Sequence, residues 1–469
     1  MFKNRVKRMA CLLLTAVTVI SFSRVKVQAA DYWPDAPQTQ SPSVILMEES
    51  TGTILYEKNS DETHYPASIT KIMTTLLALE NGNLSDVVTF SDDAIDKTEG
   101  SGIARDYGEQ MTLEQCLYGV MLESSNECAY AVAEHVGGTV DNFVDMMNAR
   151  AKAIGCTNTH FNNPHGLQDE NHYTTAHDMA LIAKEAYKNE TFRIIIGTKM
   201  YTIPPTNKHA EETPLRNHHD MLATYHLSNR KYLYPYCVGG KTGYTAAANS
   251  TLVTYAEKDG MTLICVVMNA QSPSQFADTV SLFDYAFSNF QVLNVAENEK
   301  EFDAGASVSN GNLGNIKAFV ELDKDAKIVL PNAAAFADAK AEAEYNDDTA
   351  TAGTIAGSIV YTYADRVVGK ADIKTTGAVV EGYAFDNEST EAGEEEPTTV
   401  QVKPAAIILI IVAILLLVLL LFLLKRFLDN YYIIRHNREV RRRGKEQKEQ
   451  IRRRKRRRCR FGKRRWFRR

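Results

Sequence analysis

The chain has 469 residues, too many for one ordinary domain and enough for two or three. With 44% hydrophobic and 24% charged residues it has a globular composition, which excludes a fibrous or wholly disordered chain. Its net charge of -5 hides a split: residues 425–469 hold 22 Lys and Arg against 4 acids, residues 1–30 hold 6 basic residues and no acid, and the stretch between is net −29.

Taken from the N-terminus, Lys3, Arg5, Lys7 and Arg8 precede an apolar run over 9–22, and Val27-Gln28-Ala29 follows it. This pattern predicts a secretory signal peptide over 1–29, cut after Ala29. An uncleaved anchor is the competing reading, because Arg24 and Lys26 stand close to the cut. Cys11 opens the apolar run rather than ending it, which argues against a lipoprotein signal.

Residues 42–57 alternate as a hairpin. From Ala67 to Glu80, Ile69, Ile72, Met73, Leu76 and Leu77 fall at helical spacing, with Pro66 suited to the helix start. Helices are expected over 112–136, 141–153 and 175–188. Strands follow around 238–243, 250–255 and 261–268, the last two joined by Asp259-Gly260, a strong hairpin signal. A helix over 274–288 closes the region. Hairpin, helices, hairpin and helix in that order imply an α/β (α+β) domain, a helix-flanked sheet built from both ends of the segment 38–290.

Beyond about 292 short alternating runs indicate a small all-β domain over 293–385. Residues 386–403, with Glu394, Glu395, Glu396 and Pro397, form an acidic linker too polar to fold alone. The run 405–424 has no polar side chain. At ~1.5 Å per residue it spans roughly 30 Å, the thickness of a bilayer core, so one transmembrane helix is expected over 404–424. The basic tail 425–469 then stays cytoplasmic and the acidic body lies outside. The tail either rests on anionic lipid or only holds the topology. Nucleic-acid contact is not expected.

Three motifs carry chemistry. In Ser68-Ile69-Thr70-Lys71 an amine three residues on shares the helical face of a hydroxyl, which needs a base before it becomes nucleophilic. Ser124-Ser125-Asn126 precedes a helix, and Lys241-Thr242-Gly243 lies in a strand after Gly239 and Gly240, read as making room for a ligand backbone. Each alone has an ordinary reading as a solvated pair, a helix cap or a turn. Together and in order they match the trio of β-lactamases and penicillin-binding proteins. His165 and His172 lack a carboxylate at zinc-site spacing and are read as structural, so neither metal nor cofactor is expected. The five cysteines outside the signal and the tail are read mostly as small buried hydrophobes.

Over roughly 40–385 the chain resembles the low-molecular-mass penicillin-binding proteins, the serine-type D-Ala-D-Ala carboxypeptidases. The likeness extends to Tyr65-Pro66-Ala67-Ser68, to 161–167, to 174–180 and to Gly240-Lys241-Thr242-Gly243-Tyr244-Thr245. Ser125 and Ala248-Asn249-Ser250 depart from the usual pattern. The resemblance implies a serine DD-peptidase/β-lactamase-like domain followed by a β-sandwich. It implies that Ser68 attacks the penultimate D-Ala of a peptidoglycan stem peptide, with Lys71 as base. Ser124 and Lys241 would relay a proton, Asn126 would orient the substrate amide, and the N–H groups of Ser68 and Tyr244 would form the oxyanion hole. Thr242, Gly243 and Arg216 complete the expected substrate site, which would also take β-lactam antibiotics. A β-lactamase is the nearest rival and needs a carboxylate placed to activate the deacylating water; none is expected here. A non-catalytic peptidoglycan-binding protein on the same fold is the rival of a different class.

Overall fold

The computed structural model describes residues 32–223, 230–299, 320–345 and 355–375. All of them belong to one compact unit. Within it the chain first forms the hairpin β1 (Ser43–Glu48) and β2 (Ile54–Lys58). A 3-10 turn, Ala67–Thr70, leads into helix α1 (Lys71–Asn81), so the expected helix begins as the tighter form. Next come β3 (Val87–Thr89), the short α2 (Asp92–Asp96) and β4 (Gln110–Thr112).

The helix expected over 112–136 is two helices, α3 (Leu113–Leu122) and α4 (Asn126–Gly137). The break lies at Ser124, whose φ of 61° no α-helix accommodates. Its neighbour Ser125 caps α4 by accepting from Cys128 N–H. A capping box of Thr112 and Gln115 starts α3. Helices α5 (Val140–Ile154), α6 (Ala176–Tyr187) and α7 (Glu190–Gly197) follow, with Thr139, Thr175 and Asn189 capping them in turn.

After the two-stranded pair β5 (Met200–Ile203) and β6 (Thr213–Arg216), the chain returns to the main sheet through β7 (Cys237–Thr245), β8 (Asn249–Lys258) and β9 (Met261–Ala270). The turn between β8 and β9 holds Asp259 and Gly260 at φ 51° and 80°, as the sequence predicts. Helix α8 (Ser274–Asn289) closes the domain. The sheet order is β2-β1-β9-β8-β7, so both ends of the domain do build it, and β7 is an edge strand.

Every residue of β1 is buried, because both sheet faces are covered. Ile45, Met47, Val253, Tyr255, Ile264 and Val266 share one core with α1, α3, α4 and α6. Val44, Leu46, Leu252, Leu263, Cys265 and Val267 share another with Leu282, Phe283 and Ala286 of α8. Period-2 alternation therefore divides residues between two cores rather than between core and water.

The small β domain starts at Phe290, three residues before the expected boundary. Strands β10 (Phe290–Asn294), β11 (Val320–Leu322), β12 (Lys327–Pro331), β13 (Lys340–Tyr345), β14 (Ile355–Tyr363) and β15 (Arg366–Thr375) form one sheet. The pair β10 and β12 joins the rest at a single register position, Ile328 opposite Gly369 of β15. The core of this domain is built on Ile328, Leu330, Tyr361, Val368, Ala371 and Ile373. Trp33 packs at a tilt against Phe290 and lies under Arg366, tying the segment before β1 to this sheet. Cys116, Cys128, Cys156, Cys237 and Cys265 are all unpaired, and all but Cys156 are buried.

Among the described residues no helix is long and apolar enough to cross a membrane. The expected signal peptide, linker, span and basic tail lie outside the described residues.

Candidate active site

Ser68 sits in the 3-10 turn before α1, and this turn is shaped from outside. Ala67 has φ 51°, a conformation that costs energy for a residue with a side chain. Gly166 packs on its carbonyl so closely that a Cβ there would overlap it. Thr251 Oγ1 donates to the Pro66 carbonyl at 2.9 Å, and Thr70 Oγ1 meets His172 Nε2 at 2.8 Å. His172 is thus a buried strut, and burial pushes its pKa down to about 3.

Lys71 lies one turn further, fully buried. Its Nζ is 3.1 Å from Ser68 Oγ, 2.7 Å from Asn126 Oδ1 and 2.6 Å from the His165 carbonyl. Two of these partners can only accept, while the hydroxyl can also donate. A neutral amine satisfies this set completely, giving its two N–H to the carbonyl oxygens and its lone pair to the serine proton. Burial, followed by the charge of Lys241, holds the Lys71 pKa well below the usual lysine range.

The second motif adds an unsatisfied group. Ser124 is nearly buried in its left-handed conformation, and its Oγ makes no hydrogen bond. A strained residue with a free hydroxyl is expected where chemistry needs it. Asn126 is held on both sides: its Oδ1 takes the Lys71 amine and its Nδ2 donates to the Glu99 carbonyl at 2.5 Å. It anchors the base, and the second N–H of its amide is left over for a substrate carbonyl.

The third motif runs along the edge strand β7. Lys241 is 1% exposed, its Nζ donates to the Thr242 carbonyl at 3.0 Å, and burial brings its pKa down to about 7. Gly239 and Gly240 do not make room for a ligand. A Cβ on Gly239 would strike Ile196, and one on Gly240 would strike the Val253 carbonyl and the His219 ring. Their φ values, 149° and 154°, also favour glycine. Gly243 is the glycine of close approach: a Cβ there would stand 2.9 Å from Ser68 N and 2.4 Å from Thr251 Oγ1. It brings the strand edge against the backbone of Ser68. Tyr244, 70% exposed, follows on that edge.

Arg216 is exposed at the end of β6, where its backbone N–H donates to Glu123 Oε1 at 2.7 Å, beside Ser124. Burial opposes ionisation of Glu123, but His218 and the Arg216 N–H outweigh it and hold its pKa below the ordinary value. Glu127 was not foreseen. Nearly buried in the first turn of α4, it accepts from Ile103 N–H at 2.6 Å and packs on Gly102, fixing the loop that takes Asn126 Nδ2. An acid directly after the Ser-Ser-Asn motif is the signal that could have found it. His165 stays structural through its ring, which burial keeps neutral, but its carbonyl is a partner of Lys71. Between Ser124 and Lys241, Glu185 and Asn189 have the E-x-x-x-N spacing of a deacylating carboxylate. Glu185 instead pairs with Arg150 and Lys188, and none of the hydrogen-bond partners of Lys71 is a carboxylate. Among the described residues no group of His, Cys, Asp and Glu could hold a metal ion.

The model of the family described as D-alanyl-D-alanine carboxypeptidase matches residues 30–272. The D-alanyl-D-alanine carboxypeptidase DacF of Bacillus subtilis is 37% identical over 297 residues, covering 61% of this chain and 72% of the relative. DacA of Haemophilus influenzae is 28% identical over 387 residues, 79% of this chain and 93% of its own. Among solved structures, penicillin binding protein 5 from Haemophilus influenzae superposes with a TM-score of 0.58 at 28% identity, over 73% of this chain and 98% of that one. The Streptomyces K15 DD-transpeptidase superposes with a TM-score of 0.50 at 31% identity, over 54% and 100%.

Proposed function

The chain belongs to the D-alanyl-D-alanine carboxypeptidase family, and we propose that it removes the terminal D-Ala from peptidoglycan stem peptides through an acyl-enzyme on Ser68. The observation that carries this is the environment of Lys71: a buried amine between two carbonyl oxygens and the Ser68 hydroxyl, its pKa lowered by burial and by a second buried lysine. A base of this kind needs no metal and no cofactor to take the serine proton.

In the proposed cycle the substrate lies along the free edge of β7, as an added strand does. Thr242, with the positive field of Lys241, holds the terminal carboxylate, and Arg216 is a second cation at the rim. Ser68 Oγ attacks the penultimate carbonyl as its proton passes to Lys71. The N–H groups of Ser68 and Tyr244 receive the oxyanion, a contribution of ~3 kcal/mol per donor in comparable sites. The C–N bond breaks, and the leaving D-Ala amine takes its proton through Ser124, whose free hydroxyl supports the role. Water then attacks the ester, with Lys71 again as base. A penicillin, a strained amide beside a carboxylate, stops at the acyl stage for want of a carboxylate to drive its hydrolysis.

We place the catalytic domain outside the cell, held by the apolar run 405–424, with the basic tail in the cytoplasm and against anionic lipid. The support is the sequence alone: the run, the 22 basic residues after it, and the signal-like start.

The deciding experiment uses the ectodomain and a peptide ending in D-Ala-D-Ala. Wild type releases one D-Ala, and penicillin labels Ser68. Ser68→Ala abolishes both; full release by that variant would overturn the assignment.

A further inference from the structure

Ser124 and Lys241 stand on separate elements, the α3–α4 turn and β7, yet one short segment touches both. His218 N–H donates to the Leu122 carbonyl at 3.3 Å, and His218 Nε2 stands 2.7 Å from Glu123 Oε2. Glu123 Oε1 takes the Arg216 N–H at 2.7 Å. On its other side the segment reaches the main sheet. His219 Nε2 meets Thr254 Oγ1 at 3.0 Å, and its ring packs where a side chain on Gly240 would stand. Asn217 holds the segment in place: its Nδ2 donates to the Ile196 and Thr198 carbonyls, and its Oδ1 takes the His219 N–H, all at 3.0 Å. Residues 216–219 therefore bridge the residue before Ser124 to the residue before Lys241. Glu123 is also out of place for helix stability. It is the C-cap of α3, where the helix dipole disfavours a negative charge, and its side chain is only 17% exposed. A residue that breaks a local rule is expected where function needs it.

We propose that Glu123 is a positioning residue for the proposed reaction, on which this role rests: it fixes the Ser124 turn against the bridge and supplies the countercharge of the buried Lys241 ammonium. Lys241 Nζ donates to the Thr242 carbonyl rather than to a carboxylate, so Glu123 acts on it through space. Burial lowers the Lys241 pKa to about 7, and the Glu123 charge opposes that fall. Other groups face the two residues. Lys71 and the His219 ring, each with a pKa lowered first by burial, face Lys241, while His218 and Arg216 face Glu123. Both oxygens of Glu123 are held by the bridge, which keeps its charge from swinging into solvent. Without that charge the ammonium would lose its proton at a lower pH, and recognition of the substrate carboxylate would go with it.

The test follows penicillin acylation of Ser68 across pH in the full-length protein. Glu123→Gln keeps the shape and removes the charge. Its alkaline limb, set by Lys241, should move down by about half a pH unit or more, while the acid limb stays in place. Glu123→Met removes the same charge without an amide to satisfy and should shift the limb likewise, should the glutamine variant fail to fold. Glu123→Asp keeps the charge and should return the limb towards its wild-type position even where the rate is lower. In a Lys241→Arg background Glu123→Gln should move no limb, because the guanidinium stays charged. A uniform loss of rate with no shift, or an equal shift in the Lys241→Arg background, would overturn the role and leave the peptidase reading standing. No D-Ala release by the wild type would overturn that reading and the role with it.

Discussion

Lys71 Nζ stands closer to Asn126 Oδ1, at 2.7 Å, than to the Ser68 hydroxyl, at 3.1 Å. The neutral amide therefore both positions the base and leaves its charge unassisted. Asn126→Asp would put a carboxylate at that distance and favour the ammonium. The acid limb of the penicillin-acylation profile should move up by about one pH unit or more, whereas Asn126→Ala should slow acylation without that shift. Stopped-flow acylation across pH separates the two outcomes.

Much of this site was legible because catalysis fixes residue types and spacing. The i, i+3 placement of Ser68 and Lys71 survives the change from an α-helix to a 3-10 turn, since either form keeps both on one face. The break at Ser124 was not legible: composition reads as helix through 112–136, and only tertiary packing holds that φ of 61°. The anchoring role of Asn126 was not legible, because no spacing rule reveals that the Glu99 carbonyl and Lys71 lie on either side of it. The glycines of β7 were misread for a related reason. Their neighbours Ile196 and His219 are distant in sequence, and a glycine alone does not say whether a ligand or the protein itself fills its missing side chain.

That distinction can be measured. Gly240→Ala should lower stability, because its Cβ would meet the Val253 carbonyl and His219. Gly243→Ala should lower acylation by at least about tenfold with a smaller loss of Tm, because its Cβ crowds Ser68 N instead. Thermal unfolding and penicillin labelling of both variants decide it; equal loss of both properties in both variants would contradict the assignment.

Lys241 also sets an expected alkaline limit. With its pKa near 7 in the free enzyme, the positive charge that attracts the substrate carboxylate is lost as pH rises through that value. For the wild type kcat/KM should fall above about pH 7, while kcat should hold to higher pH, since a bound carboxylate restores the charge. Lys241→Arg, permanently charged, should be slower but should lose the alkaline limb. An unchanged limb in that variant would assign it to another group.

The proposed topology makes a separate prediction. Protease added to intact protoplasts should digest the ectodomain and spare an epitope placed after Arg469, because the 22 basic residues beyond the apolar run favour the cytoplasmic side. Loss of the epitope from sealed cells would reverse the orientation.

The same lysine that recognises substrate weakens the fold. An exposed lysine in the unfolded chain titrates near 10.4, whereas burial holds Lys241 at about 7. Between those values the unfolded chain binds the extra proton, so the contribution of Lys241 to stability rises with pH. Below about pH 7 the cost of the buried charge is present in full, and above about pH 10 it is gone. Lys241→Met keeps a long side chain and removes the charge. This variant should melt at least a few degrees higher at pH 6, the gain shrinking towards pH 10, while D-Ala release collapses. Activity and stability are expected to move in opposite directions because the site keeps a buried cation for its substrate, and the Glu123 charge offsets only part of the cost of burial. Scanning calorimetry at pH 6, 8 and 10 measures this directly; a Tm difference independent of pH would mean that packing, not charge, distinguishes the two side chains.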